Sequence, residues 1–368
     1  MDVVSLTRKL LSFNTINPPG NEADIALFTG SLLAENGFMV QYHEFGENRL
    51  HLVAERGLSI DRLPLVLSGH FDTVPLGAAD WSVDPFAGPV KDGRIWGRGS
   101  SDMKGAIAAM IIGSLEAFRE SVPGGVRFII TAGEELGCQG ISSMADKGLI
   151  PPGASAVIVG EPTGNIPATG HKGALYLNAS AKGKTAHSSM PQLGENAIYK
   201  IVDAISRIRD LNFPAEQDPL LGYPTLNIGK ISGGMNINSV PDHASFTIDV
   251  RSTTKMEHST ILNIIQEAAG KEISFEKLVD IGPVFTPIDH SFVKTVNFEC
   301  KGSGLPFSLP YLTDGAVLQK TLKAPVVILG PGEADQAHKT DEWCDIEKLR
   351  ESVRIYRNII SKWSKKND

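Results

Sequence analysis

The sequence predicts a two-part α/β protein: a domain with a mainly parallel sheet, formed by residues 1–171 and 283–368, interrupted by an inserted ferredoxin-like domain at 172–282. Three observations support this. Short, wholly apolar runs alternate with helical periodicity in the first part, as expected for a parallel sheet covered on both faces. From about Gly173 the order changes to β-α-β-β-α-β, and the earlier pattern resumes near Pro283. A chain of 368 residues is also too long for one comfortable core.

The opening MDVVSLTRKLLSF reads as an amphipathic helix, and a second helical pattern (Ile25, Leu27, Phe28, Leu32, Leu33) ends at Gly37, a C-cap residue. LPLVLSGH is a buried strand, MKGAIAAMIIGSLEAF a buried helix, and GVRFIITAG and SAVIVGEP two further strands. In the insert, ALYLNASAKG, TLNIGKIS, HASFTIDVR and EISFEKLVD read as strands, with ENAIYKIVDAISRIRD and HSTILNIIQEAAG as helices. APVVILGPG is a late strand and DIEKLRESVRIYRNIISKW the closing helix. Neither repeats nor low-complexity tracts occur.

Composition narrows the function classes. Hydrophobic residues at 42% and charged ones at 21% suit an ordinary globular protein. A net charge of -7 and a pI near 5.8 argue against nucleic acid as a partner. No run spans a bilayer, and the opening lacks a secretory signal, so a cytoplasmic location without membrane partners is expected. Cys138, Cys300 and Cys344 form no CxxC pair, which fits free thiols in a reducing compartment.

Function in parallel sheets gathers at the carboxyl ends of strands. Five potential metal ligands stand there or in adjoining loops: His70, Asp102, Glu135, Glu161 and His338. Imidazole with carboxylate suits zinc, with cobalt and manganese as open substitutes, and the lack of thiolate argues against a purely structural zinc. Two cations about 3.5–4 Å apart need a bridging ligand, and Asp102, between Gly-rich turns, is best placed for it. Glu134, directly before a ligand, is then free to take a proton from the attacking water and hand it to the leaving amine. Asp72, two residues beyond His70, can accept the other imidazole N–H. Taken singly, each has a plainer reading: a solvated turn for His70 and Asp72, a helix start for the glutamate pair, a helix cap for Asp102. Together they do not, because a row of unpaired acids repels itself unless a cation intervenes.

The ordered motifs SGHFDTVP, WxxDPFAG, DGRIWGRGSSDMKG, TAGEELG, VGEPT, AHSSMP, NSVPDHASFTIDVR and AHKTDEW extend over nearly the whole chain. This chain resembles the zinc metallopeptidase and deacylase family of acetylornithine deacetylase, succinyl-diaminopimelate desuccinylase, aminoacylase and glutamate carboxypeptidase. The resemblance implies a metallohydrolase with two zinc ions. His70, Asp102 and Glu161 would hold one, and Asp102, Glu135 and His338 the other. It matches Glu134 to the general acid/base and Asp72 to the residue orienting His70, and implies a cis peptide at Asp102–Met103. The insert matches a lid and dimerisation domain, so a homodimer is implied. In it His187 matches an oxyanion-stabilising histidine, while Asn238 and Arg251 match contacts to the substrate carboxylate. Thr313, Asp314 and Gly315 sit where the family places a substrate-facing loop, although Gly315 stands where aminoacylase-like members carry Ala. The implied substrate is a small N-acyl amino acid; a dipeptide or a C-terminal amino acid is the alternative. Glu161, rather than Asp, leans toward the deacylase and carboxypeptidase branches. A two-metal phosphoesterase is disfavoured because no phosphate-cradling Gly loop with a basic cluster occurs.

Overall fold

The computed structural model describes residues 1–120, 122, 124–301 and 307–363. The chain divides into two compact units, Met1–Gly170 with Val284–Leu309 and Thr313–Asp368, and His171–Pro283 with Pro310–Leu312.

The first unit is built on a nine-stranded sheet whose centre is parallel and whose margins are antiparallel. Four neighbouring strands, Val126–Thr131, Leu65–His70, Ala156–Val159 and Val326–Ile328, run parallel in that order. Every residue of these strands is buried, so alternation is absent and the apolar runs are continuous. On one margin lies a hairpin, Met39–Gly46 with Arg49–Arg56, that the sequence reading does not anticipate. Its first strand is half exposed, without the clean two-residue alternation that marks a strand.

Helix Lys104–Ala117 runs directly behind the sheet and is buried almost all round. The closing helix Ile346–Trp363 packs against it so closely that a Cβ on Gly113 would stand 2.9 Å from Val353 O. Only glycine permits that approach. Together with Leu6, Leu10, Phe128 and Tyr356 these helices form one core, in which each large apolar side chain contributes about 1.5–3 kcal/mol by leaving water. A small three-stranded sheet, Val90–Lys91, Arg94–Trp96 and Trp343–Asp345, ties the late chain to the segment before Asp102.

The second unit has the order β-α-β-β-α-β. Its antiparallel sheet runs Thr225–Gly233, His243–Ser252, Gly173–Lys182, Ile273–Ile281, with burial alternating along His243–Ser252 and, from Leu175 onward, along Gly173–Lys182. Helices Ala197–Arg209 and His258–Ala269 pack on the apolar face around Ile201, Ile248 and Ile265. Asn196 starts the first helix by accepting the N–H groups of Ile198 and Tyr199. Among the described residues, no helix is long and apolar enough to cross a membrane.

Candidate metal centre

Three adjacent parallel strands deliver the first donors. His70 is the last residue of Leu65–His70, Glu161 follows Ala156–Val159 by two residues, and Glu134 and Glu135 follow Val126–Thr131. Asp102 lies just ahead of helix Lys104–Ala117, and its peptide bond to Met103 is cis. It does not cap that helix, whose N-cap is Met103. His338 comes from the irregular segment between Val326–Ile328 and Trp343–Asp345.

These side chains converge as two triads. The ligating atoms of His70, Asp102 and Glu161 lie within 4.8 Å of one another, and so do those of Asp102, Glu135 and His338. Asp102 belongs to both: its Oδ1 is 3.2 Å from His70 Nε2 and its Oδ2 3.5 Å from His338 Nε2. His70 Nε2 lies 3.6 Å from Glu161 Oε1, and His338 Nε2 lies 3.0 Å from Glu135 Oε2. The first triad is buried, whereas the His338 side chain is 57% exposed.

The electrostatics are those of crowded acids. Burial, reinforced by Asp102, pushes the Glu161 carboxyl up to about 8. Burial and Asp102 likewise raise Glu135 to about 6, against the pull of His338. Glu134 lies well above the carboxylate range because it is buried and faces Glu161. Burial opposes charge on His70, yet Asp102 and Glu161 hold its pKa well above the ordinary imidazole value. Glu135 Oε1 and Glu161 Oε1 are buried without a hydrogen-bond donor. Such orphaned acceptors beside two imidazoles fit a pair of divalent cations, each held by one nitrogen ligand and two carboxylates.

Asp72 corrects one expectation. The His70 Nδ1 group meets the backbone carbonyl of Asp72 at 2.9 Å, while the Asp72 carboxylate is 3.6 Å away, beyond a hydrogen bond. That carboxylate instead accepts the N–H groups of Gly133, Glu134 and Glu135 at 2.9, 3.1 and 3.1 Å, and the Asn17 amide at 2.9 Å. Three amides turned onto one acid outcompete a ring nitrogen, so Asp72 fixes the glutamate pair through its side chain and His70 through its main chain.

Glu134 Oε1 accepts a 3.4 Å contact from the buried Cys138 thiol, and Asp314 completes a third close group with these two. Asp314 accepts the Thr131 hydroxyl at 2.6 Å, and burial raises its carboxyl to about 6. Thr313 and Gly315 flank it, both buried, with the Thr313 hydroxyl accepting the Gly315 N–H at 3.1 Å. In the second unit His187 is exposed, its Nδ1 2.8 Å from Ser189 Oγ. The Asn238 segment lies alongside, with its carbonyl accepting the Ser188 N–H at 3.0 Å. Arg251 pairs with Asp249 at 2.9 Å and donates to the Tyr176 hydroxyl at 2.6 Å.

Residues 66–362 match peptidase family M20/M25/M40. The chain belongs to that family. M20 enzymes are metal-dependent hydrolases of amide bonds, deacylases and peptidases alike, and this chain is one of them. It is 28% identical to a probable succinyl-diaminopimelate desuccinylase of Staphylococcus epidermidis, over 99% of this chain and 98% of that one. It is 29% identical to an acetylornithine deacetylase of Vibrio cholerae, over 94% and 92% of the two chains. The fold matches an M20 family metallo-carboxypeptidase of Sulfolobus solfataricus at a TM-score of 0.80 and 18% identity, over 99% of this chain and 100% of that one. It also matches a dinuclear metal-binding M20 peptidase of Bacillus subtilis at 0.71 and 16%, over 98% and 97% of the two chains.

Two residues that sequence reasoning passed over surround this M20 centre. Glu342 and Arg98 are fully buried beside Asp102. The available signal was an acid four residues after His338 and an arginine between two glycines ahead of Asp102, neither of which announces a supporting role.

Proposed function

We propose that this chain is a dinuclear zinc enzyme that removes the acyl group from a small N-acyl amino acid, of the acetylornithine deacetylase or succinyl-diaminopimelate desuccinylase type. One observation carries the reading: a single buried carboxylate, Asp102, turns one oxygen toward His70 and the other toward His338. His70, Asp102 and Glu161 would hold one cation, and Asp102, Glu135 and His338 the other. Bound there, the cations supply a Lewis acid for the amide carbonyl and lower the pKa of water.

Glu134 takes the proton of the attacking water and returns it to the departing amine. Its position suits this, because its backbone N–H is anchored on Asp72 and its Oε1 is held by Cys138. The second unit acts as lid and dimerisation domain of a cytoplasmic homodimer. His187 supplies a hydrogen bond to the oxyanion, Asn238 and Arg251 receive the substrate carboxylate, and Thr313 and Gly315 shape the acyl side of the site. Arg251 suits its role because its planar fork fits two oxygens, as its pairing with Asp249 illustrates.

The peptidase reading is favoured by the solved structures of this fold, whose names include a metallo-carboxypeptidase. The deciding experiment strips the metal, restores zinc, cobalt or manganese, and measures amine release from N-acetyl and N-succinyl amino acids beside dipeptides and peptides ending in glutamate. Acylated amino acids turned over at least about tenfold faster, a difference of 1.4 kcal/mol in barrier, support the deacylase. Faster peptide cleavage replaces it with the peptidase.

A further inference from the structure

The two triads are not mounted alike. His70 ends a strand and Glu161 lies two residues beyond one, so the sheet itself fixes both. His338 stands on a segment outside regular structure, half exposed, with its backbone at φ 65°, a left-handed conformation unusual for a side-chain-bearing residue. Something other than the sheet must hold that segment against the Asp102 loop.

One buried ion pair is built for this. Glu342 Oε1 accepts the N–H groups of Ser101 and of Asp102 itself, at 2.8 and 3.0 Å. Its Oε2 accepts the Gly99 N–H at 2.9 Å and the Arg98 guanidinium at 2.7 Å. The same guanidinium reaches outward in two directions, to the carbonyl of Lys339, next to His338, at 3.1 Å and to that of Pro75, in the segment following Asp72, at 3.0 Å. The Arg98 and Glu342 side chains are 1% and 0% exposed. A carboxylate with all its acceptors occupied and a guanidinium bridging three loops form a rigid strut, because every bond is charge-assisted and the four made by Glu342 are buried.

We infer that Arg98 and Glu342 are positioning residues that set the separation of Asp102 and His338, and so determine the affinity of the Asp102–Glu135–His338 position for its cation. The His70–Asp102–Glu161 position depends on them less, because two of its three ligands are fixed by strands. This inference rests on the dinuclear reading above. It predicts an asymmetry that a general contribution to folding would not produce.

The test uses the full-length, metal-free protein titrated with zinc by calorimetry and with cobalt by its visible absorption. Wild type, E342Q, R98K and H338A are compared, with H338A as the benchmark for losing one position. Supporting partners of metal ligands typically change affinity by about 10–100-fold, so E342Q and R98K are expected to weaken the second cation by that factor. The first cation should stay within about threefold of wild type. Should E342Q fail to fold, R98K, which keeps the charge but not the fork, decides alone. Variants that bind both cations as wild type does, or that lose both equally, overturn the inference while leaving the centre standing. Wild type binding fewer than two cations overturns the dinuclear reading, and this inference with it.

Discussion

The metal centre and the candidate substrate residues of the inserted unit treat charge in opposite ways. In the first unit Asp102, Glu134, Glu135 and Glu161 crowd around two imidazoles, and two of their oxygens have no donor. In the second, Arg251 is already matched by Asp249 and Tyr176, and His187 is solvated beside Ser189. A set that cannot balance its own charge requires a cation; a set already balanced must release a partner before it can take a ligand. The two regions should therefore fail differently when altered: the first in chemistry and metal content, the second in substrate affinity and oxyanion support with the metal content unchanged.

The sharpest break in that contrast is Glu134→Gln. It should lower kcat by about 10²–10⁴-fold while two cations remain bound, read by steady-state kinetics with elemental analysis. A near-normal rate removes Glu134 as the base, and loss of a cation makes it a ligand instead. Next in size, His187→Ala should lower kcat by about 10²–10³-fold, the cost of one oxyanion donor, without changing metal content. An unchanged kcat would leave the inserted unit without a chemical role.

Arg251→Met should act mainly on KM. A hydrogen bond to a charged group contributes about 1.5–3 kcal/mol, which corresponds to a rise of roughly 10–100-fold. Asp249→Asn should move KM the other way by freeing the guanidinium. If both variants leave KM alone, the Asp249 pair is only a surface ion pair.

A smaller effect is read in the pH dependence of stability. Glu161 titrates near 8 when folded and near the ordinary 4.5 when unfolded, so the folded, metal-free chain holds the extra proton between these values. Stability then falls as pH rises through that window. His70, raised by Asp102 and Glu161 despite burial, acts in the same direction. Burial lowers His171 in the second unit, and His51 in the first, to about 4, which gives the opposite slope, but only below about 6.5. The metal-free melting temperature should accordingly decline from pH 6.5 to about 7, above which the buried Lys104, lowered by burial to about 7, adds a rising contribution; zinc, which favours the deprotonated acids, should flatten or reverse the decline. A metal-free protein that grows more stable over this range would show that the acids are not crowded in solution. Smallest of all, Cys138→Ser should keep a donor on Glu134 and change kcat by only a few-fold, since one neutral hydrogen bond contributes about 0.5–1.5 kcal/mol.

What was legible in the sequence followed from burial on both faces. The continuous apolar strands ending at His70 and Thr131, and the all-round apolar helix after Met103, declared a parallel sheet with acids at its exits. The alternating strands of the insert were equally plain. The Met39–Arg56 hairpin was not, because a margin strand with one wet face and an irregular pattern looks like a loop. At the centre, spacing suggested that the Asp72 side chain meets His70, but a carbonyl of the same residue was nearer and the carboxylate had three amides to serve. Glu342 was invisible for another reason: the amides it accepts belong to residues some 240 positions earlier, and no local pattern encodes such a contact.

The separation of the donors along the chain also has a consequence in time. His338 follows Glu135 by 203 residues. At synthesis rates of about 5–20 residues per second, the ribosome adds the second histidine roughly 10–40 s after the glutamate pair. During that interval the nascent acids have His70 but not His338. On the two-cation reading, loading of the complete pair is therefore a late event in biogenesis, and a chain that ends before His338 should carry only the His70–Asp102–Glu161 half of the donor set.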